Sequence, residues 1–357
     1  MKNVKVAIVG CGNISDIYMK NLKAFDGVEL VCCADLDDAK AAAQAEKYSI
    51  GKCSVDDILS NPAIEIVLNI THPAGHYGVA KAALKAGKSV YNEKPLTLTL
   101  KEAKELIKLA EAGGLMLGGA PDTFMGAGIQ TCRKLIDKKA IGKPLSFTAF
   151  MMCPGHESWH PNPEFYYQIG GGPLFDMGPY YLTALINLLG GFDYVQSVTA
   201  MGYKQRTITS KPKYGKKINV ETPTHINGIL VTKSGAVGTL ITSFDVRKHS
   251  MPNIEIYGTE GTIKVPDPNC FGGEVKLFRA GAADWEVVPL VDGCPENSRG
   301  LGVCDMAKAI LKGKNFRPDH RITYHVLETM HAMLESGEKQ RAVKLKSTCE
   351  RPEKFYK

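Results

Sequence analysis

The first strand and turn of the chain read Val4-Lys5-Val6-Ala7-Ile8-Val9-Gly10-Cys11-Gly12-Asn13-Ile14-Ser15. An apolar strand that leads through closely spaced glycines into a helix is typical of a dinucleotide-binding turn. The glycines allow a tight turn and a close approach of the backbone to a pyrophosphate, and the helix start supplies free N–H groups. We therefore predict that Gly10, Gly12, Asn13 and Ile14 contact a dinucleotide.

A serine, Ser15, stands where the common form of this motif has its third glycine. A small residue still allows close packing of the helix on the strand. The motif alone is weak, because a structural glycine turn in another α/β sheet has the same letters. Its position between a strand and a helix, with an acid at the end of the next strand, favours dinucleotide binding.

That acid is Asp35, which follows the second predicted strand, Val28–Ala34. A carboxylate here accepts hydrogen bonds from the adenosine ribose hydroxyls. Asp37 and Asp38 follow without an arginine, so the extra phosphate of NADP would meet negative charge. The sequence predicts NAD as the cofactor.

Two further strand ends carry polar residues that we expect to face the same crevice, since ligands bind at the carboxyl ends of parallel strands. One end carries Thr71, His72 and His76, for which a plain role in the helix start is the alternative. The other carries Glu93 and Lys94, with Pro95 following. A lysine held there is a cation beside the bound cofactor, which indicates redox chemistry.

The order of predicted elements defines the fold class. Strands and helices alternate through about the first 120 residues, which indicates a doubly wound parallel sheet. Beyond Ala120-Pro121, short strand-like runs separated by turns favour a large, open, mostly antiparallel sheet, flanked by helices. We predict a Rossmann domain over residues 1–121 and an α+β domain over 122–357 that binds substrate and forms oligomer contacts. The lysine-rich segment Thr207–Glu221 reads as an exposed loop.

Composition limits the classes of function. The chain has 357 residues, a net charge of +7 and no block of like charges, so we expect no nucleic-acid partner. No apolar stretch approaches the roughly 20 residues that span a membrane. The 10 cysteines show no CxxC pair, and we expect them to be reduced in a cytoplasmic protein.

The segment His156-Glu157-Ser158-Trp159-His160 spells the zinc-protease pattern HExxH. That function needs both histidines on one helical turn, and the prolines on both sides leave no room for a helix. We expect no metal site. A loop that lines the substrate pocket is the better interpretation, with His156, Trp159, His160 and Tyr166 contacting substrate. A structural loop around a buried tryptophan is the alternative.

Several of these motifs together resemble the Gfo/Idh/MocA family, which includes glucose–fructose oxidoreductase and inositol 2-dehydrogenase. They are the glycine turn, Asp35, the Thr71–His76 turn and Glu93-Lys94-Pro95, joined in the second half by two segments: Gly170-Gly171-Gly172-Pro173-Leu174-Phe175-Asp176-Met177-Gly178 and Ile254-Glu255-Ile256-Tyr257-Gly258-Thr259-Glu260-Gly261-Thr262-Ile263. The resemblance implies a homo-oligomer formed through the C-terminal sheet. It also implies Lys94 as the catalytic lysine and Asp176 as the acid that orients substrate.

Position 180 departs from the common family pattern, which has a histidine four residues after the aspartate. This chain has Tyr180, as dihydrodiol dehydrogenases of the family do. A phenol has an unperturbed pKa of about 10, and bringing it near 7 requires roughly 4 kcal/mol. A positive charge about 4 Å away supplies roughly that energy at an effective dielectric constant of about 20. We therefore expect Lys94 to activate Tyr180 as the general base. Pro179 indicates that a helix starts or kinks there.

These observations lead to a hypothesis: an NAD-dependent dehydrogenase of a secondary hydroxyl on a sugar, glycoside or cyclitol. Oxidation of a glycoside at the 3-position of its sugar is one specialisation. A trans-dihydrodiol dehydrogenase is the alternative enzyme. A non-catalytic dinucleotide sensor is the alternative from another class.

Overall fold

The computed structural model describes residues 3–356. Its strands are β1 (Val4–Val9), β2 (Val28–Ala34), β3 (Gly51–Lys52), β4 (Ile66–Asn69), β5 (Ser89–Asn92), β6 (Leu117–Gly119), β7 (Pro144–Met152), β8 (Phe192–Ala200), β9 (Gln205–Thr207), β10 (Lys217–Asn219), β11 (His225–Thr232), β12 (Val237–Ser243), β13 (Ile254–Gly258), β14 (Gly261–Val265), β15 (Val275–Arg279), β16 (Glu286–Val288) and β17 (Val343–Lys344). Its α-helices are α1 (Ser15–Ala24), α2 (Asp38–Tyr48), α3 (Val55–Ser60), α4 (Pro73–Lys85), α5 (Leu100–Ala112), α6 (Ala127–Asp137), α7 (Gly172–Leu189), α8 (Leu301–Lys312) and α9 (His320–Lys339).

The first sheet is parallel, with the strand order β3-β2-β1-β4-β5-β6. Its central strands are apolar runs, and β4 and β5 are buried along their whole length. The order reverses between β1 and β4, which is the switch point where open α/β sheets bind ligands. The predicted doubly wound Rossmann sheet is confirmed.

The helix boundaries in this part follow the expected local chemistry. Thr99 caps α5, because its side chain accepts from the N–H of Glu102 while the Glu102 side chain accepts from the N–H of Thr99. This reciprocal pair of hydrogen bonds is a capping box. Along α5 the buried residues Ala103, Leu106 and Ala110 recur at helical spacing.

The second sheet has nine strands in the order β16-β15-β14-β13-β7-β12-β11-β8-β17. Its neighbours are antiparallel except β7 and β12, which run parallel. Burial alternates along β8, where Val195 and Ser197 are buried while Tyr194 and Val198 are exposed. Helix α7 contacts β7, β11 and β12, and Ser197 donates to the carbonyl of Met333 in α9. The prediction of a mostly antiparallel sheet is confirmed.

The chain divides into two compact units, one of residues up to 126 together with 294–327, and one of 127–293 together with 328 onward. The sequence predicted a single boundary at residue 121. It did not predict that residues 294–327 return to the first unit. The physical reason is α8, whose Val303 and Met306 are fully buried in the core of the first unit. Each such side chain contributes about 1.5–3 kcal/mol by its burial.

A short hairpin lies where the sequence predicts only a loop. Strands β9 and β10 pair antiparallel, with Thr207 opposite Lys217, so the hairpin begins just before the predicted loop Thr207–Glu221 and includes part of it. The hairpin has a buried face, because Arg206 and Ile218 point inward while their neighbours are exposed. Within residues 3–356, no helix is both long enough and apolar enough to cross a membrane.

Candidate active site

The glycine turn after β1 has the shape that a dinucleotide requires. Gly10 has a φ of +107°, and a Cβ there would lie 2.7 Å from the backbone of Ile70. A glycine is therefore needed for the turn to pass so close to the end of β4. Around Gly12 the space is open, with no atom within 4 Å of a Cβ placed on it. Backbone can thus approach a pyrophosphate there.

Helix α1 begins directly behind this turn with its N–H groups available. Among residues 3–356, no side chain caps its first turn, so the positive end of the helix faces the turn. Ser15 is fully buried and donates to the carbonyl of Gly12 across 2.6 Å. The serine thus packs as closely as the expected third glycine, while Asn13 and Ile14 are exposed on the turn.

Asp35 lies at the end of β2, and two backbone N–H groups orient its carboxylate. Cys11 donates to Oδ2 across 2.6 Å, and Asp37 donates to Oδ1 across 2.8 Å. The Asp38 carboxylate instead pairs with Lys52. Asp35 is therefore the acid joined directly to the glycine turn, as its proposed role on the ribose requires.

A buried asparagine orders the turn after β4. Asn69 donates to Asn92 across 3.0 Å and to the carbonyl of His76 across 3.1 Å, and it accepts from the hydroxyl of Thr71 across 2.7 Å. His72 follows at the N-terminus of α4 and is exposed. Partial burial of the imidazole lowers the pKa of His72. Thr71 and His72 therefore lie at the switch point of the sheet.

His76 has a position that differs from the other predicted cofactor contacts. Its side chain is fully buried, with Nδ1 2.7 Å from the carbonyl of Pro95 and Nε2 3.0 Å from the carbonyl of Thr71. Burial lowers the pKa of His76, and each ring nitrogen lies within hydrogen-bond distance of a backbone carbonyl oxygen. Both ring nitrogens face backbone, and the residue braces the turns that carry Thr71 and Lys94.

Lys94 follows β5 and is held by its neighbours on both sides. The Glu93 carboxylate accepts from the N–H of Lys94 across 2.8 Å and from the hydroxyl of Tyr18 across 2.7 Å. On the other side, His76 holds the carbonyl of Pro95. Tyr18, which the sequence analysis missed, is fully buried, and burial raises its pKa well above the ordinary value. Helical spacing alone marked Tyr18 as a core residue.

These residues fit NAD. The open space at Gly12, the uncapped start of α1 and the oriented Asp35 carboxylate match the pyrophosphate and ribose of the cofactor. Thr71, His72, Glu93 and Lys94 follow strands β4 and β5 at the same edge of the sheet. The cofactor contacts of the individual residues remain predictions.

In the second unit, Asp176 and Tyr180 lie one turn apart on α7. Pro179 lies inside this helix, which starts at Gly172 rather than at the proline. Proline has no N–H, so the helical hydrogen bond from residue 179 to the carbonyl of Phe175 is not made. The helix continues past this missing bond. A spacing of four residues places Asp176 and Tyr180 on one face, and both side chains are largely buried, with 12% of the Asp176 side chain exposed.

The loop after β7 brings a histidine to Asp176. His156 Nε2 lies 3.1 Å from Asp176 Oδ2, and the ring of Tyr166 lies edge-on to the imidazole with 4.2 Å between centroids. Trp159, in contrast, is 61% exposed. His160 Nδ1 accepts from the N–H of Asn162 across 3.0 Å, and partial burial lowers its pKa. Of the four predicted substrate contacts, His156 lies against the predicted catalytic acid.

The middle of the HExxH pattern has a different partner. Arg206 in β9 donates to Glu157 Oε1 across 2.6 Å and also pairs with Asp245. Residues 156–160 form a turn rather than an α-helix, and the imidazoles of His156 and His160 bond to different groups. Sequence reasoning also missed Arg206, because its neighbours before the lysine-rich segment Thr207–Glu221 give no sign that it is buried.

The fold and the glycine turn define the first unit as the NAD-binding domain of an oxidoreductase. Residues 4–119 match the model of the oxidoreductase family with an NAD-binding Rossmann fold, and residues 129–264 match the Gfo/Idh/MocA C-terminal domain. The chain therefore belongs to the Gfo/Idh/MocA family, and it is an NAD-dependent oxidoreductase.

Related proteins of known name are similar at a modest level. Myo-inositol 2-dehydrogenase of Thermotoga maritima is 24% identical, over 73% of this chain and 74% of that protein. The 1,5-anhydro-D-fructose reductase of Ensifer adhaerens is 27% identical, over 72% and 74%. Scyllo-inositol 2-dehydrogenase of Bacillus subtilis is 31% identical, over 53% and 56%.

Solved structures share the whole fold. Levoglucosan dehydrogenase in complex with NADH superposes with a TM-score of 0.83, at 22% identity, over 97% of this chain and 100% of that chain. The aldose-aldose oxidoreductase of Caulobacter crescentus gives 0.81, also at 22% identity, over 96% and 100%. At this level of identity the likeness concerns the fold.

Proposed function

We propose that the protein is an NAD-dependent dehydrogenase that oxidises a secondary hydroxyl of a sugar, glycoside or cyclitol. The relatives support this class of substrate, since their names specify inositols, an anhydrofructose and, at 25% identity, D-xylose. The observation that carries the proposal is the bracing of Lys94, whose N–H bonds to Glu93 and whose neighbour Pro95 bonds to buried His76. Such a brace fixes the start of the lysine side chain at the strand end.

Each catalytic residue has a chemical task in this proposal. Tyr180, as a phenolate, accepts the proton of the reacting hydroxyl and becomes a neutral phenol. Lys94, as an ammonium, stabilises the negative charge that this transfer places on oxygen. Asp176 accepts a hydrogen bond from a neighbouring substrate hydroxyl and so orients the carbinol carbon. NAD, when bound, supplies the nicotinamide ring that takes the hydride.

A panel of substrates tests the proposal. The protein is mixed with NAD and inositols, free aldoses, methyl glycosides and anhydrosugars, and NADH is followed by fluorescence. We expect turnover of at least one secondary alcohol, and none with its deoxy analogue at the reacting carbon. If NAD binds but no member of the panel reacts, the dinucleotide sensor is the better description.

The finer proposal is oxidation of a glycoside at its 3-hydroxyl. The exposed indole of Trp159 offers a flat apolar surface on the same loop as His156, and aromatic faces suit the apolar face of a pyranose. A methyl glycoside should then give a higher kcat/KM than the free sugar. Reduction of the product with borodeuteride, followed by NMR, locates the oxidised carbon, and label at any carbon other than C3 contradicts this specialisation.

Tyr180 keeps a second enzyme under consideration. A phenol at this position is shared, by resemblance, with trans-dihydrodiol dehydrogenases, so a trans-dihydrodiol of benzene or naphthalene belongs in the panel. A kcat/KM for the dihydrodiol above that of every sugar would favour the alternative.

We further propose that the protein is a homo-oligomer formed through the open face of the second sheet. Apolar side chains are exposed on adjacent strands of that face: Val198 is 72% exposed, Ile229 48% and Val237 46%. Exposed apolar side chains on neighbouring strands of one face support an interaction site there.

We also propose that the protein is cytoplasmic. All ten cysteines are free, which is consistent with a reducing compartment.

A further inference from the structure

We infer that His156 is a positioning residue for Asp176, and that a buried network around Arg206 holds His156 in place. The inference rests on the proposed function, because it assigns a task to Asp176. It starts from the contact of 3.1 Å between His156 Nε2 and Asp176 Oδ2, where the two side chains are 11% and 12% exposed. At position 180 the chain has a phenol, so the imidazole beside this aspartate comes from a different element, the loop after β7.

The surroundings of His156 determine which ring nitrogen bears the proton. Nδ1 is buried and has no hydrogen-bond partner within residues 3–356. A proton on Nδ1 would be a buried donor without an acceptor. Burying such a donor costs more free energy than burying an unprotonated ring nitrogen. The proton therefore lies on Nε2, which donates to the carboxylate of Asp176. In this arrangement the imidazole of His156 donates to Oδ2 of Asp176 and fixes the orientation of that carboxylate.

Three aromatic rings fix the imidazole in this orientation. Its centroid lies 4.2 Å from that of Tyr166, 4.6 Å from that of Phe244 and 5.2 Å from that of Trp159, all at steep interplanar angles. Edge-to-face contacts at these distances contribute about 0.5–1.5 kcal/mol each beyond burial. A ring flip would move Nε2 away from Asp176 and against these rings.

The backbone of His156 is held from the other side of the loop. Its N–H donates to the hydroxyl of Tyr167 across 3.2 Å, and that hydroxyl donates to Glu157. Arg206 then binds Glu157 Oε1 across 2.6 Å and the carbonyl of Pro154 across 3.0 Å. The loop is therefore tied to β9 at residues 154 and 157, on both sides of the histidine.

Arg206 itself is anchored where β12 ends. It donates to the carbonyl of Phe244 across 2.7 Å and pairs with Asp245, and its guanidinium lies 5.1 Å from the ring centre of Tyr167. The residue is buried, so these charge-assisted bonds are shielded from water. One continuous network thus runs from Asp245 through Arg206, Glu157 and Tyr167 to His156.

Two substitutions test separately the hydrogen-bond donor of His156 and the packing of its ring. In H156Q the side-chain amide places an N–H near the position of Nε2, whereas H156F fills the aromatic cage without a donor. We expect H156F to lower kcat/KM by about 10- to 100-fold, since a misplaced orienting group costs this much, and H156Q to recover most of the loss. His249→Phe, an exposed histidine of the same unit, is the matched control, and melting curves verify that each variant folds.

The Asp176→Asn background tests whether His156 acts through Asp176. Because the double variant has no carboxylate to position, H156F should cause less than about a twofold further loss there. An undiminished loss in this background would mean that His156 acts elsewhere, and it would overturn the inference. Wild-type activity in H156F would overturn it as well.

A measurement without turnover distinguishes failure of this inference from failure of the proposed function. In protein labelled with ¹⁵N-histidine, and with H156Q used for assignment, we expect a bare Nδ1 and a protonated Nε2 for His156. Asp176→Ala should change this pattern. An unchanged spectrum in that variant overturns the positioning role, even if no substrate is found. Absence of turnover with the expected spectrum refutes only the proposed reaction.

Discussion

The backbone N–H of Cys11 donates to Asp35 Oδ2 across 2.6 Å, which joins the glycine turn after β1 to the end of β2. The bond fixes one carboxylate oxygen at the turn, while Oδ1 accepts from Asp37. Each carboxylate oxygen of Asp35 thus accepts one hydrogen bond from the backbone, and its other lone pair can accept one from a ribose hydroxyl. The negative charge of this carboxylate would repel the additional ribose phosphate of NADP.

Replacing Asp35 by Asn should therefore weaken NAD binding and reduce discrimination against NADP. A hydrogen bond to a charged group contributes about 1.5–3 kcal/mol, so we expect the Kd for NAD to rise by about 10-fold or more. Titration calorimetry with NAD and NADP measures both effects. Asp56→Asn, at an exposed position of α3, should leave both constants unchanged. Tighter binding of NADP than NAD by the wild type would contradict this role.

Replacing Lys94 by Ala should abolish most turnover and leave NAD binding nearly intact. The lysine is proposed to act on charge that develops during proton transfer, and such a contribution amounts to about 10²–10⁴-fold in kcat. Steady-state rates and NAD titration on the same preparation check both halves of the prediction. Lys101→Ala, at an exposed position of α5, is the control. Full activity in Lys94→Ala would remove the lysine from the mechanism.

Adjacent tyrosines on α7 should respond differently to loss of the hydroxyl. Tyr180→Phe removes the proposed general base, so kcat should fall by about 100-fold or more. Tyr181 donates to the carbonyl of Phe150 and accepts from Asn253, which is a structural role. Tyr181→Phe should lower the free energy of unfolding by about 1 kcal/mol with kcat retained. Equal kcat values for the two variants would exclude Tyr180 as the base.

The sequence was sufficient for the parallel sheet of the first unit because its signals are local. The turn from Gly10 to Ser15 depends on residues a few positions apart, and Asp35 is recognised by its place at the end of the next strand. The sheet order then follows from right-handed crossovers. Helix α8 escaped notice because its apolar stripe follows a long irregular segment and completes a core formed by residues near the N-terminus.

The site in the second unit depends on contacts that sequence spacing does not reveal. His156 and Asp176 are 20 residues apart, and Arg206 and Glu157 are 49 apart. The sequence named His156 and Asp176 but offered no reason to pair them, and Arg206 was not among the predicted site residues. Pro179 does not start the helix, since a helix that is buried almost along its whole length tolerates one missing N–H.

A charge on the open face of the second sheet should dissociate the proposed oligomer. Val198 is opposite Asn227 on β11, one pair from Ile229 on the same face. Burying a glutamate without a partner costs several kcal/mol, so Val198→Glu should convert the wild-type oligomer to a species of 38.8 kDa in light scattering. Leu311→Glu, at an exposed position of α8, should not. A monomeric wild type would refute this interface.

The buried carboxyl of Asp122 should make stability depend on pH. It accepts from the N–H groups of Gly300 and Gly302 at the start of α8, yet burial raises its pKa from 3.8 to about 6. Between about pH 4 and pH 6 the unfolded chain loses this proton while the folded protein retains it. The folded state then binds more protons, so its stability falls as the pH rises through this window.

The expected loss is about 3 kcal/mol, from two pKa units at about 1.4 kcal/mol each, and it should level off above about pH 6. Urea unfolding of the wild type and of Asp122→Asn at pH 4, 5, 6 and 7 measures it. The amide does not titrate, so the difference in unfolding free energy between the two proteins isolates this group. A difference that stays constant with pH, or grows in favour of the wild type, would show that the carboxyl is ionised throughout the window.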